Sequence, residues 1–202
     1  NPFDDFLPVL DEARERKILD AAKCLSILKL LRIARNVRSC IEKQVNLPLL
    51  QSASKRFDPL PSLFKELDRC IDDEGEIKEN ASPELKQAFR DVVSAKQKLE
   101  SKIGKLLSSN THKEAIQDSY YTEREGRLVI PVKSDKRSQV DGIVHDSSGS
   151  GQTLYVEPSS IVPLNNQLKI NRLAVDREKT RILQSLTRQV IGSGDTIASN
   201  ME

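Results

Sequence analysis

The stretch from Gly126 to Pro158, GRLVIPVKSDKRSQVDGIVHDSSGSGQTLYVEP, constrains this chain most, because its residue order suits strands and tight turns while the sequence around it suits helices. Leu128, Ile130 and Val132 alternate with Val129 and Lys133, so one face of an extended segment is apolar. A second strand is predicted over Gly142 to Asp146. A third runs over Thr153 to Glu157, with Leu154 and Val156 on one face and Thr153, Tyr155 and Glu157 on the other. Ser147-Ser148-Gly149-Ser150-Gly151 lies between them, and its glycines supply the positive φ that a tight hairpin requires. Together these segments predict a small antiparallel sheet.

Before this stretch, Asp20 stands just ahead of an apolar-periodic run and can accept free backbone N–H bonds as an N-cap. The helix it opens is predicted to reach Lys43. Ile27, Leu31, Ala34 and Ile41 form one stripe, and Leu30, Ile33, Val37 and Cys40 lie beside it. Lys29, Arg32, Arg35, Arg38 and Lys43 lie opposite, either as a solvated face or as a phosphate-binding ridge. Pro48, Pro59 and Pro61 interrupt the chain before a short helix from Ser62 to near Cys70. The acidic run Asp72 to Glu76 lacks the full twelve-residue EF-hand pattern and reads as a surface turn.

Ser82-Pro83-Glu84 predicts a helix start, with the cap at Ser82 and proline at the first helical position, followed by a helix of about 30 residues. After the sheet, Ile161, Leu164, Leu168, Val175, Ile182 and Leu186 recur at helical spacing and define a second long helix that ends at Gly192-Ser193-Gly194. Asp195 to Glu202 reads as the start of a further helix, and the chain as a piece of a longer polypeptide. The expected fold class is mainly α: long antiparallel helices with a small antiparallel β segment inserted between two of them. The expected divisions are a helical core over residues 1–81, an outgoing long helix over 82–118, the β segment over 119–160 and a returning long helix over 161–202.

The 202 residues include no Trp, and 31% are charged; mean hydropathy is -0.48. That composition suits long, solvent-washed helices better than a thick globule. A net charge of +2 excludes a global polycation, so any nucleic-acid surface must be a local patch. Cys24, Cys40 and Cys70 are odd in number and lack CxxC spacing, which argues for reduced thiols packed in an intracellular protein. Neither an apolar run of membrane-spanning length nor a signal peptide is evident, so no membrane partner is expected.

No catalytic constellation is expected. His145, Asp146 and Ser147 are consecutive, and consecutive strand side chains alternate faces, so they cannot converge as nucleophile, base and orienter. A structural hydrogen bond from His145 to backbone or a turn hydroxyl is expected instead. His112 and His145, the only histidines, are not at metal-ligand spacing with a cysteine, and neither a metal nor a cofactor is expected in this piece. Glu157-Pro158 is expected to end the third strand, and the carboxylate could equally stabilise the following helix entry.

The candidate nucleic-acid-binding residues are Lys133, Lys136 and Arg137, gathered where the first strand gives way to a polar loop. They would neutralise phosphates without reading sequence. The competing reading makes them solvated edge charges that discourage aggregation. Asp135 and Asp141 dilute the patch, and Arg124 and Arg127 could extend it. Tyr120, Tyr121 and Tyr155 are too few for a stacking platform, so duplex or branched DNA is favoured over single strands.

IPVK at 130–133, GIVHDSSGSGQTLYVEP at 142–158, LNNQL at 164–168 and CIDDEGEIKENASPEL at 70–85 together resemble the second MutS group, the MutS paralogues that lack the mismatch-reading N-terminal domain. The resemblance covers most of residues 60–190 and implies a fragment made of helical core, lever arms and a small clamp-like β segment. It implies a dimeric parent ATPase that clamps branched or duplex DNA and restrains recombination. In bacterial members it also implies a role on collided ribosomes, and so RNA as a partner. ATP and Mg would bind a following ATPase domain, and many members add a C-terminal Smr nuclease domain. This chain has no GxxxxGK[ST], and Gly192 and Gly194 lack its spacing and lysine. The compartment would be the cytoplasm, or an organelle such as the chloroplast in a eukaryotic parent. The alternative is a helical protein-interaction or dimerisation scaffold without nucleic-acid contact.

Overall fold

A computed structural model describes residues 15, 17–43, 48–54, 58–109 and 112–199. The chain forms two compact units, one from residues 1–86 and 176–202 and the other from residues 87–175.

The first unit is helical. Helix α1 (Ala21–Glu42) starts where Asp20 accepts the Lys23 N–H at 2.8 Å, and it buries Cys24, Leu25, Ile27, Leu28, Leu30 and Leu31. Helix α2 (Pro48–Ser54) and helix α3 (Pro61–Cys70) follow, both beginning on proline, and α3 buries Leu63, Leu67 and Cys70. The short α2 lies where the prolines predicted only an interruption. The acidic run after α3 folds on itself: Asp72 Oδ1 accepts the Glu74 and Glu76 N–H groups at 3.0 and 2.8 Å. Gly75 supplies its φ of +86° beside Ala22 of α1. Helix α4 (Pro83–Ser108) opens in this unit. Ser82 Oγ accepts the Leu85 N–H at 2.9 Å and donates to Glu178 Oε1 at 2.7 Å, so one hydroxyl caps a helix and ties it to a residue 96 positions away. Ile182, Leu186 and Val190, in the latter part of helix α5 (Val162–Gly192), are buried here, as is Ile197 in helix α6 (Gly194–Ser199).

The second unit is built on a four-stranded antiparallel sheet, β1 (Thr122–Arg124), β2 (Arg127–Lys133), β3 (Gly142–Ser147) and β4 (Thr153–Pro158), in the spatial order β1-β2-β4-β3. Glu125 and Gly126 turn β1 into β2 with φ of 51° and 76°. Two successive positive φ values give the twist that a two-residue hairpin needs. β1 is missed by the sequence reading because three residues are too few to show a period. Leu128, Ile130 and Val132 of β2 and Val156 of β4 face a core with Ala95, Leu99 and Ile103 of α4, Ile161 in the 3-10 turn just before α5, and Leu168 of α5. β3 is an edge strand, and its pairing with β4 shifts at His145, between the pairs Val144–Val156 and Asp146–Tyr155.

These features correct the expected fold class. The long helices do not form antiparallel arms that carry a small inserted sheet. Each is divided between the two compact units, and the sheet is one wall of the second unit's core. The closest backbone packing among the described residues is between strands and between α1 and its neighbours α2 and α3. The physical reason is burial: Leu99, Ile103 and Leu168 are at most 2% exposed because the sheet covers their apolar faces. Periodicity shows that a helix has such a face but not which element covers it.

Candidate nucleic-acid interface

Lys133, Lys136 and Arg137 lie together at the end of β2 and in the 3-10 turn Ser134–Gln139 that follows. The Lys133 main chain is fixed on both sides, pairing with Thr153 of β4 and donating its N–H to Ala115 O at 2.8 Å. Its ammonium group and that of Lys136 enter no ion pair among the described residues, and both side chains are half-buried. Arg137 differs, because its guanidinium donates to Val140 O and, at 2.6 Å, to Gly142 O, holding the approach to β3. Lys133 at the end of β2 and Lys136 in the turn thus bring two ammonium groups to a segment that the arginine fastens.

Arg124 and Arg127 are engaged internally. Arg124 stacks over the Tyr155 ring at 4.3 Å and pairs with Asp146 at 2.9 Å. Arg127 donates to Glu157 Oε1 at 2.6 Å and to Asn166 Oδ1 at 2.7 Å. The basic ridge on α1 is largely consumed as well: Arg32 bonds Asp68 and Asp73, Arg35 lies over the Phe64 ring at 4.0 Å, and Arg38 pairs with Glu42.

Sequence reasoning missed a polar centre at Glu157. Its carboxylate has no exposed surface, yet it accepts from Arg127 Nη1, from Asn165 Nδ2 at 2.8 Å and from His145 Nε2 at 2.7 Å. Asn165 also brackets the β2 backbone, accepting the Leu128 N–H and donating to Leu128 O, each at 3.0 Å. A buried carboxylate needs such a full set of donors, because desolvation of an unpaired charge costs several kcal/mol. The centre joins β2, β3, β4 and the first turn of α5, and its role is to fix their mutual positions. Glu157 and Asn165 both fall inside the quoted motifs, and a charged residue within an apolar strand was the available signal. His145 bonds this carboxylate rather than the backbone or hydroxyl expected for it.

Among the described residues, no group of three His, Cys, Asp or Glu is placed to hold a metal ion, and no helix is long and apolar enough to cross a membrane. The sequence holds no GxxxxGK[ST] phosphate-binding loop.

No family model matches the chain. It is similar to curated proteins named Endonuclease MutS2. The Brevibacillus brevis protein is 35% identical over 196 residues, 96% of this chain and 25% of the relative. The Clostridioides difficile protein is 37% identical over 188 residues, 91% and 24% respectively. The Thermomicrobium roseum protein is 37% identical over 204 residues, 99% and 26%. These relatives are bacterial and give the chloroplast alternative no support. The chain spans about a quarter of the length of the curated relatives it matches. With the match running through the sheet, the Glu157 centre and the helices on either side, the chain belongs to the MutS2 group of MutS paralogues.

Proposed function

We propose that this segment is the core, lever and clamp-like part of a MutS2 protein, and that it binds branched or duplex DNA through the phosphate backbone without reading sequence. The similarity over nearly the whole chain to proteins named as endonucleases carries this reading. The ammonium groups of Lys133 and Lys136, which enter no ion pair among the described residues and stand at a turn held by Arg137, agree with it. Such groups neutralise phosphates and release counterions, which makes binding salt-dependent. ATP hydrolysis and strand cleavage would belong to other parts of a longer parent, where ATP-driven movement would act on this segment through its long helices. The resemblance also carries a homodimeric parent and a ribosome-associated role; no residue contact in the described chain argues for either, and the proposal does not include them.

A second reading, a protein-docking scaffold, draws on the exposed apolar residues Val93 of α4 and Ile170 and Leu173 of α5. A salt titration of binding to a four-way DNA junction and a matched linear duplex separates the two. DNA binding that weakens steeply with salt is expected. Absence of binding at low salt would refute the DNA reading and leave the scaffold.

A further inference from the structure

We propose that the solvent side of α4 is a track for the DNA phosphate backbone, carried by Lys98, Lys102 and Lys105. This rests on the DNA-binding reading above and gives it a second, more extended surface. The three residues follow at intervals of four and three, so their side chains form one row along the helix. All three are exposed, and none enters an ion pair among the described residues.

The composition of that face sets it apart from the other basic helix. On α1 the arginines are spent on Asp68, Asp73, Phe64 and Glu42. On α4 the row's neighbours at helical spacing are Ser94, Ser101 and Ser108. Glu100, the acid nearest in sequence, lies 200° around the helix from Lys98 at 100° per residue and takes Lys96 and Tyr121 as partners. Asp91, one turn beyond Ser94, accepts from Gln87 Nε2 at 2.9 Å. After Asp91, Glu100 is the one acid in α4, and the row itself carries none.

The dimensions suit a nucleic-acid strand. At about 1.5 Å per residue, Lys98 and Lys105 are separated by about 10.5 Å along the axis, and at about 3.4 Å of duplex axis per phosphate on one strand that length covers about three phosphates. Beside Lys98 the surface dips into a cleft of about 280 Å³, with Asp91, Ser94, Ala95 and Lys98 on the α4 side and Leu164, Gln167 and Asn171 on the α5 side. Asn171 is held there by its own Nδ2 bond to Asp91 O at 2.9 Å, and it accepts from Gln167 Nε2 at 2.8 Å. The cleft therefore has fixed amide walls and the Asp91 carboxylate beside the first lysine, which suits a sugar hydroxyl rather than a phosphate oxygen.

The test uses the 202-residue chain and a fluorescent linear DNA duplex, with affinity measured at several salt concentrations. The variant Lys98→Gln/Lys102→Gln/Lys105→Gln is compared with Lys29→Gln/Lys43→Gln/Lys65→Gln, which removes the same charge from the other unit. Three lost phosphate contacts should reduce the slope of log K against log salt by about 2.7, so that between 50 and 200 mM salt the wild type loses about 40-fold more affinity than the α4 variant. The charge-matched control should keep the wild-type slope, and Lys98→Arg/Lys102→Arg/Lys105→Arg should keep it too, which guards against a misfolded glutamine variant. Equal slopes for the α4 variant and the control would overturn the track while leaving DNA binding standing. A wild type that binds no duplex at 50 mM salt would overturn the DNA reading itself and the track with it.

Discussion

His145 Nε2 lies 2.7 Å from Glu157 Oε2, at the point where the edge strand β3 bulges against β4. The same carboxylate holds Arg127 and Asn165, so removing it strands three donors inside the protein. Glu157→Ala is expected to destabilise the chain by about 3 to 5 kcal/mol, the usual result of breaking one side of a buried ion pair. Urea denaturation checks this, and a loss under about 1 kcal/mol would show that the centre does not hold the sheet to α5.

Gly142 opens β3 against the end of β4. A Cβ at that position would lie 2.8 Å from Pro158 Cα and closer still to Glu157 O, both main-chain atoms that cannot rotate away. Gly142→Ala is therefore expected to cost about 1 to 3 kcal/mol and to weaken β3–β4 pairing. Amide exchange should report it as faster exchange in β3 and β4, with α1 unchanged. Uniform protection in the variant would mean that the strands absorb the methyl group.

The Glu178 carboxyl is held below its ordinary value of 4.5 by its bonds to Arg181 and, less strongly, by Ser82, against the opposing effect of burial. A depressed acid contributes stability that is fully present above the unfolded value and lost as pH falls through the folded one. Arg181→Gln should therefore cost little stability at pH 7, as suits an exposed arginine, and should flatten the decline in stability below about pH 5. Thermal melts of both proteins across that range check the sign. A variant that declines as steeply as the wild type would remove Glu178 from the acid response.

Burial pushes the Cys24 thiol up to about 12 and raises Cys70, whereas Cys40 is exposed. A reactive thiolate needs access as well as deprotonation. At pH 8 the folded protein should react with a thiol reagent at Cys40 alone, and all three cysteines should react once it is denatured. Fast native labelling at Cys24 would indicate that α1 opens from its core.

The elements that were legible in the sequence are those whose signal is local. Asp20 and Ser82 cap their helices as their positions predict, because an N-cap bonds a backbone group only three residues ahead. The second and third predicted strands and the turn between them are observed as β3, β4 and their connection. The acidic turn after α3 is also a local pattern, closed by Asp72 on its own neighbours. Cys40, assigned to packing on the stripe of α1, is exposed instead, since a helical period marks a face without supplying its cover.

The candidate site was legible only in part. Lys133, Lys136 and Arg137 are together because they are together in the chain, but nothing local distinguishes the arginine that fastens the turn from the lysines beside it. The partners of Glu157 were not legible for a related reason: Arg127 is 30 residues from its carboxylate partner, and Asn165 is 37 from the Leu128 backbone it brackets.

By itself the sequence determined where helices begin, where the chain turns and which faces are apolar, since these follow from backbone conformation and side-chain period within a few residues. It also carried the motifs that place the chain in its family. Only the tertiary structure decided that the sheet walls a core shared with α4 and α5, and that the α1 arginines are spent on partners while Lys98, Lys102 and Lys105 of α4 enter no ion pair among the described residues. A charge's availability depends on which distant groups folding brings within a few ångströms, because pairing falls off steeply with distance and desolvation forces buried charges to find partners.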